Sequence, residues 1–300
     1  MYNPQLQTFI RVADAGSFNK AAEESYITPT AVIKQINLLE TDLDVKLFER
    51  SRRGLTLTKA GQSLYNDAKY IIRYCKDSVT RAKNAMHDVD DVIRIGTSPM
   101  TPSQILMKLW PEIHELCPEI KFQLVPFENT PENAREILGN LGKNIDVVAG
   151  IFDDTMLNVR NCEGFEISRQ PLCCAVSILH RLAGKNKLTF QDLYGENLML
   201  MHRNWSRYVD ELRDDIWKNH HQIHIVDFDF YSVDIFNRCE NSNDILMAVQ
   251  AWENVHPLLK VIPVEWDHSI PYGILYSPSP SASVRSFLAA VQTILRNNKV

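Results

Sequence analysis

Residues 17–61 read SFNKAAEESYITPTAVIKQINLLETDLDVKLFERSRRGLTLTKAG, and two apolar-periodic segments lie inside them, Phe18 to Glu24 and Pro29 to Asp42. Only Ser25, Tyr26, Ile27 and Thr28 separate the two, too few for another layer, so the spacing predicts a helix-turn-helix. Thr28 is placed to cap the second helix, and Pro29 suits its first position, where no amide donor is needed. Along that helix Val32, Ile36, Leu39 and Leu43 fall on one face, with Thr30, Lys34, Asn37 and Thr41 roughly opposite. One face packs and the other is free to read a partner.

Leu47 to Arg50 and Leu55 to Leu57 then form two short strand-like runs, joined by Ser51-Arg52-Arg53-Gly54 with two cations at the tip. A hairpin beside a helix-turn-helix makes a winged domain. The patterns SF-x-x-AA, AV-x-x-QI-x-x-LE, LF-x-R and LT-x-AG occur here in that order, and they resemble the N-terminal DNA-binding domain of the LysR-type transcriptional regulators. Asp44 stands where that family usually has Gly, Ile33 where Ser is common and Lys34 where Arg is usual, departures that bear on sequence preference and not on fold. The resemblance implies double-stranded operator DNA as a partner. Thr30 and Lys34, with Thr28 and Asn37 at the edge, are the expected major-groove contacts. Ile33 flanks them and suits either a thymine methyl or partial burial. Arg52 and Arg53 are expected at phosphate or the minor groove, where contacts orient more than they specify.

Upstream, Asn3 and Pro4 read as cap and first helical residue, and Leu6, Phe9, Ile10 and Ala13 form an apolar stripe ending before Gly16. Ala21 and Ala22 are small enough to let the recognition helix cross closely, with Phe18, Leu38, Leu39 and Phe48 expected to fill the space around it. Downstream, Thr58 to Asp88 contains no proline, and Gly61, Leu64, Ala68, Ile71, Cys75, Ser78, Ala82 and Ala85 recur at heptad-like spacing. That pattern predicts a long helix pairing with a second copy of itself. The resemblance agrees, since the family dimerises through a linker helix here; a tetramer is the other assembly it allows. Two-fold pairing would present two recognition helices to a pseudo-palindromic site.

Past His87 to Asp91, strand and helix signals alternate, which predicts an α/β fold with a parallel sheet. Strands are expected at 92–96, 121–125, 145–150, 173–179, 197–201, 222–228, 230–236, 261–264 and 272–276. Helices are expected at 101–116, 131–141, 207–218, 244–252 and 281–297. Thr97 and Ser98 follow the first of these strands and lead toward a helix, where hydroxyls and free amides can hold an anion such as a carboxylate. Gly96-Thr97, Ile145-Asp146-Val147, Pro171-Leu172 with His180 to Ala183, and Leu188 to Leu193 resemble the LysR effector domain. The resemblance implies two lobes like a periplasmic binding protein, with a small-molecule effector between them. Phe127, Ile151 and His202 lie in the loops matching the family's pocket walls. The expected organisation is a winged domain at 1–58, a linker helix at 59–90 and an effector domain at 91–300. Lobe I would span 91–162 and 268–300, and lobe II 163–267, with crossings near Asn161 to Glu166 and Val264 to Ser269.

The chain has 300 residues, 45% hydrophobic and 23% charged, proportions ordinary for a soluble globular protein of two or three domains. No apolar run approaches the length of a membrane span and the first residues show no secretory pattern, so the cytoplasm is the expected compartment. The net charge is −5, but residues 1–90 hold 13 Lys and Arg against 11 Asp and Glu. DNA binding would therefore rest on a few placed cations and not on a broad basic surface.

The six cysteines lack metal-ligand spacing and read as buried thiols, with redox sensing the sharper alternative. His220, His221 and His224 cluster without Cys or carboxylate partners, which reads as a surface group and not a metal site. No GxSxG, phosphate loop, GxGxxG or HExxH occurs, so an α/β enzyme or a non-DNA scaffold is the second reading. No cofactor or metal is expected. RNA polymerase is a further partner the regulator reading allows.

Overall fold

The computed structural model describes residues 1–51, 54–86 and 92–297. These form two compact units, Met1–Asp88 and Val89–Val300.

The first unit opens with α1 (Gln5–Ala15), whose free amide at Gln5 donates to Asn3 Oδ1 at 2.9 Å. Gly16 ends it in the left-handed region, φ 61°. Next come α2 (Phe18–Glu24) and α3 (Pro29–Leu43), the expected helix pair, with Thr28 accepting from the Ala31 amide as cap. Strands β1 (Phe48–Ser51) and β2 (Gly54–Leu57) form the antiparallel wing, pairing Phe48 with Leu57. The long helix α4 (Lys59–Met86) follows.

Phe9, Val12, Ala21, Ala22, Val32, Ile36 and Leu39 are buried together, and Phe9 and Phe18 both meet Phe48 edge-on. Leu38 and Leu43, expected to pack, are each 44% exposed. At 100° per residue Leu38 falls outside the buried stripe, and Leu43 lies in a last turn that runs past the three-helix core. The stripe on α4 also divides. Gly61 and Ala68 are buried and Leu64 packs against this unit's own core, together with Ile72, whereas Tyr70, Ile71, Tyr74 and Val79 are exposed.

In the second unit, β3 (Val92–Thr97), α5 (Gln104–Leu116), β4 (Lys121–Pro126), α6 (Pro131–Leu138) and β5 (Val147–Ile151) alternate as expected, and a further short helix, α7 (Asp154–Arg160), follows that was not expected. Strand β3 runs parallel to both β4 and β5. The chain continues through β6 (Glu163–Ser177), a 3-10 turn at Phe190–Leu193, β7 (Asn197–Met201), α8 (Arg207–Asn219), β8 (His224–Phe228) and α9 (Val233–Glu240). It closes with β9 (Ile245–Val249), β10 (Leu259–Pro263), β11 (Ser269–Tyr276) and α10 (Ala282–Asn297). The lobe I sheet is ordered β4-β3-β5-β11-β6 and the lobe II sheet runs β6-β9-β7-β8, with β10 also on β6.

One strand thus serves both lobes. Glu163 to Pro171 of β6 pair with β11, and Leu172 to Ser177 pair with β9 and β10. This moves the first crossing from the expected Asn161 to Glu166 to the middle of β6, near Pro171 and Leu172. The return crossing lies between the end of β10 at Pro263 and the start of β11 at Ser269.

Two other expectations are exchanged. Residues 230–236, expected as a strand, lead into helix α9, because Ser232 interrupts the alternation and occupies its N-cap. Residues 244–252, expected as a helix, hold β9, whose Ile-Leu-Met-Ala-Val run is buried at every position. A central strand covered on both faces loses the period of two that would have marked it. Among the described residues, no helix is long and apolar enough to cross a membrane.

Candidate nucleic-acid interface and effector cleft

Helix α3 presents Thr28, Thr30, Lys34 and Asn37 to solvent, while Val32, Ile36 and Leu39 anchor its other side. Ile33 is half-buried between the two. Gln35 is held by the Thr8 hydroxyl of α1, so it positions the helix. Arg52 and Arg53 lie outside the described residues. Tyr26 carried no signal in the sequence; it is 96% exposed at the turn before α3 with φ at 55°. Large side chains seldom adopt that backbone, and here it sets an aromatic ring beside the head of the exposed face.

Glu40 shows why an acidic residue follows Leu39. It is buried, accepts from the amides of Leu47 (2.8 Å) and Phe48 (3.3 Å), and meets the Lys46 ammonium at 2.5 Å. Burial alone would push its pKa up; the Lys46 ammonium and the two amides outweigh this and hold it below its ordinary value. Recognition helix and wing are thereby tied together. Thr58 does the same for α4, donating to the Lys46 carbonyl (2.7 Å) and accepting from the Gly61 amide (2.9 Å). Asp44, where Gly was expected, caps α3 in the left-handed region at φ 53°. It belongs to the end of the helix and not to its exposed face.

In the second unit the expected effector residues separate. Phe127 and Ile151 line a cavity of about 70 Å³ between the lobes, together with Met100, Thr101, Trp205 and Tyr231. These residues lie at or just beyond the carboxyl ends of β3, β4, β5, β7 and β8, the edge at which ligands bind in open α/β sheets. Thr97 and Ser98 line a different, wider cleft with Pro102, Lys108, Gln170 and Gln250. Ser98 is buried and its hydroxyl is paired with that of Thr101 at 2.7 Å. Helix α5 starts only at Gln104, so neither hydroxyl sits at the helix end as expected. His202 lines neither cleft; it is exposed and its Nδ1 lies 2.8 Å from the Arg203 carbonyl oxygen.

Hydrogen bonds join the lobes around the cavity. Asn129 donates to the Tyr231 carbonyl (2.7 Å), Trp252 Nε1 to the Met100 carbonyl (3.0 Å), and the Arg207 amide to Asp153 (2.9 Å). Asp153 also caps α7 through the Met156 amide. Trp252 and Asp153 are buried, and the sequence held no local signal for either role.

Cys162, Cys173, Cys174 and Cys239 are buried, and Cys75 and Cys117 are half-buried, a partial departure from the expectation. Burial pushes Cys162 and Cys173 up to about 11 and Cys239 up to about 12, so these thiols stay protonated and unreactive near neutrality. His220 stacks on Phe190 with ring centroids 3.6 Å apart, and its Nδ1 lies 3.0 Å from the Tyr194 hydroxyl. Among the described residues no group of three His, Cys, Asp or Glu is placed to hold a metal ion.

Residues 4–62 match the bacterial regulatory helix-turn-helix protein, lysR family, and residues 87–296 match the LysR substrate binding domain. The nitrogen assimilation regulatory protein nac of Klebsiella aerogenes is 30% identical over 172 residues, 53% of this chain and 56% of that one. The HTH-type transcriptional regulator CysL of Bacillus subtilis is 28% identical over 196 residues, 65% of this chain and 63% of that one. Each alignment thus spans less than two thirds of the relative. The fold is that of CbnR, a LysR family transcriptional regulator, with a TM-score of 0.59, 19% identity and 99% of both chains covered. CbnR in complex with its target DNA superposes at 0.58, again at 19% identity, covering 98% of this chain and 99% of that one.

Proposed function

This chain belongs to the LysR family of bacterial transcriptional regulators, and we propose that it binds operator DNA through α3 and the wing and controls transcription in response to a small molecule. The observation that carries this is the division of α3, with polar Thr30, Lys34 and Asn37 exposed along a helix whose opposite side is locked into the core. Thr28 and Tyr26 extend the surface toward the preceding turn, and Ile33, half-buried beside it, suits a thymine methyl. Arg52 and Arg53 contact phosphate or the minor groove. The exposed Tyr70, Ile71, Tyr74 and Val79 on α4 support pairing with a second copy, which places two recognition helices on one site. A tetramer, and contact with RNA polymerase, extend the same reading, as does residence in the cytoplasm with the DNA.

The effector binds between the lobes and shifts the balance between two arrangements of the assembled regulator. The nac protein and CysL are named as regulators, which supports this over the enzyme reading.

The test is selection of an operator from genomic fragments, followed by fluorescence anisotropy with wild type and Lys34→Ala. Lys34→Ala is expected to weaken operator binding by about tenfold or more with its dimer and melting temperature unchanged. Affinity should fall steeply with salt. An undiminished affinity in Lys34→Ala at moderate salt would remove that residue from the interface. Salt-insensitive or absent DNA binding would favour the enzyme or scaffold instead.

A further inference from the structure

Building on the interlobe effector site, we propose that the ligand is a small aromatic carboxylate, its ring held among Phe127, Trp205, Tyr231 and Trp252 and its carboxylate paired with Arg160. The cavity volume of about 70 Å³ sets the size. A site for one water takes about 10–15 Å³ on this measure, so the space corresponds to roughly five waters, the scale of a single substituted ring.

The walls set the shape. Tyr231 packs against both Trp205 and Trp252, with ring centroids 5.4 and 4.6 Å away. The polar atoms of two of these rings are already engaged, Tyr231 Oη donating to the Met247 carbonyl at 2.8 Å and Trp252 Nε1 to that of Met100. What these two rings offer a ligand is aromatic surface, which favours another ring through stacked or edge-on contact.

The charge comes from Arg160. It is half-buried at the end of α7, and it is the one charged residue among those lining the cavity. Among the described residues, no hydrogen bond or ion pair engages its side chain. Asp153 acts on it electrostatically, but each carboxylate oxygen of Asp153 already accepts an amide, from Met156 at 2.8 Å and from Arg207 at 2.9 Å. Burial pulls the Arg160 pKa down, with the Cys162 thiol and Asp153 working against the shift.

An arginine in the last turn of a helix also complements the helix dipole, but an exposed side chain would do that equally well. Half-burial in the lining of this cavity is accounted for by an anionic guest, since a guanidinium fork matches a carboxylate with two parallel hydrogen bonds. Thr97 and Ser98, the anion site expected from sequence, line the other cleft and leave this role open.

The experiment titrates the full-length protein with benzoate, its neutral counterpart benzamide, and acetate, reading melting temperature and tryptophan emission. Benzoate should raise the melting temperature and change the emission, because Trp205 and Trp252 line the cavity. Benzamide and acetate should bind at least tenfold more weakly. Arg160→Gln should weaken benzoate at least tenfold, Arg160→Lys should recover part of the loss, and Trp205→Phe should remove part of the emission change.

Two results would overturn the anion assignment and leave the interlobe site standing: benzamide binding as tightly as benzoate with the Trp205 signal intact, or Arg160→Gln retaining wild-type affinity. Benzoate binding that ignores both Arg160→Gln and Trp205→Phe would overturn the interlobe site as well. The absence of any benzoate response would overturn the aromatic-carboxylate proposal, while operator binding by the same preparation would leave the regulator reading intact.

Discussion

The two units build their candidate surfaces in opposite ways. In the first, Thr30, Lys34 and Asn37 lie along one helix, and the residues that hold that helix in place are on its other side. In the second, the cleft is assembled from the ends of several strands, and the bond from Trp252 to the Met100 carbonyl spans 152 positions of sequence. Surface and support are separate side chains in the helix. In the cleft they coincide, because Trp252 and Tyr231 line the cavity and also take part in the hydrogen bonds that join the lobes. A reading helix can therefore change its partner without changing its core, whereas a cleft of this kind cannot.

The largest effects should come from two glycines, one in each unit, and they test whether the units fail separately. A Cβ at Gly61 would lie 2.1 Å from the Leu47 carbonyl oxygen, and one at Gly273 would lie 1.9 Å from that of Phe165. Each of Gly61→Ala and Gly273→Ala should cost about 3 kcal/mol by overpacking, measured by urea denaturation. Gly61→Ala should lose DNA binding while the melting of residues 89–300 is unmoved. Gly273→Ala should do the reverse, since it forces β11 away from β6. Joint loss in either variant would show that the units support each other.

Next in size is Glu40→Ala, expected to cost about 2 kcal/mol because it strands the buried Leu47 amide. The same carboxylate predicts an acid limit specific to the first unit. Its folded pKa is depressed, so its contribution is present above the ordinary value of 4.5 and is lost as pH falls through the lower folded value. Melting curves of wild type and Glu40→Gln should converge below that range. A constant difference between them at all pH values would remove Glu40 as the cause.

The smallest effect sharpens the account of α3. Asp44→Gly should raise stability by less than about 1 kcal/mol, because glycine adopts the left-handed cap without a Cβ penalty. Operator preference should be unchanged in binding assays. A changed preference would place Asp44 on the reading surface after all.

Legibility followed the same division. The helix-turn-helix, wing and long helix were readable from Thr28, Pro29 and the apolar stripe, since caps and periodicity act over a few residues. The exchange at 230–252 shows where this stops, because β9 is buried on every side and carries no alternation. The residues expected at the effector divided likewise: Phe127 and Ile151 line the cavity, while Thr97 and Ser98 line another cleft and His202 neither. Arg160 had no sequence signal beyond a basic residue near a helix end.

Sequence alone determined that residues 17–61 make a winged helix-turn-helix whose second helix has a polar exposed face, because each signal there is local in the chain. Only the tertiary structure decided that Glu40 ties helix to wing, that β6 passes through both lobes, and that Arg160 faces an aromatic cavity. Those are contacts between residues distant in sequence, and burial, which makes them matter, is a property of the folded chain.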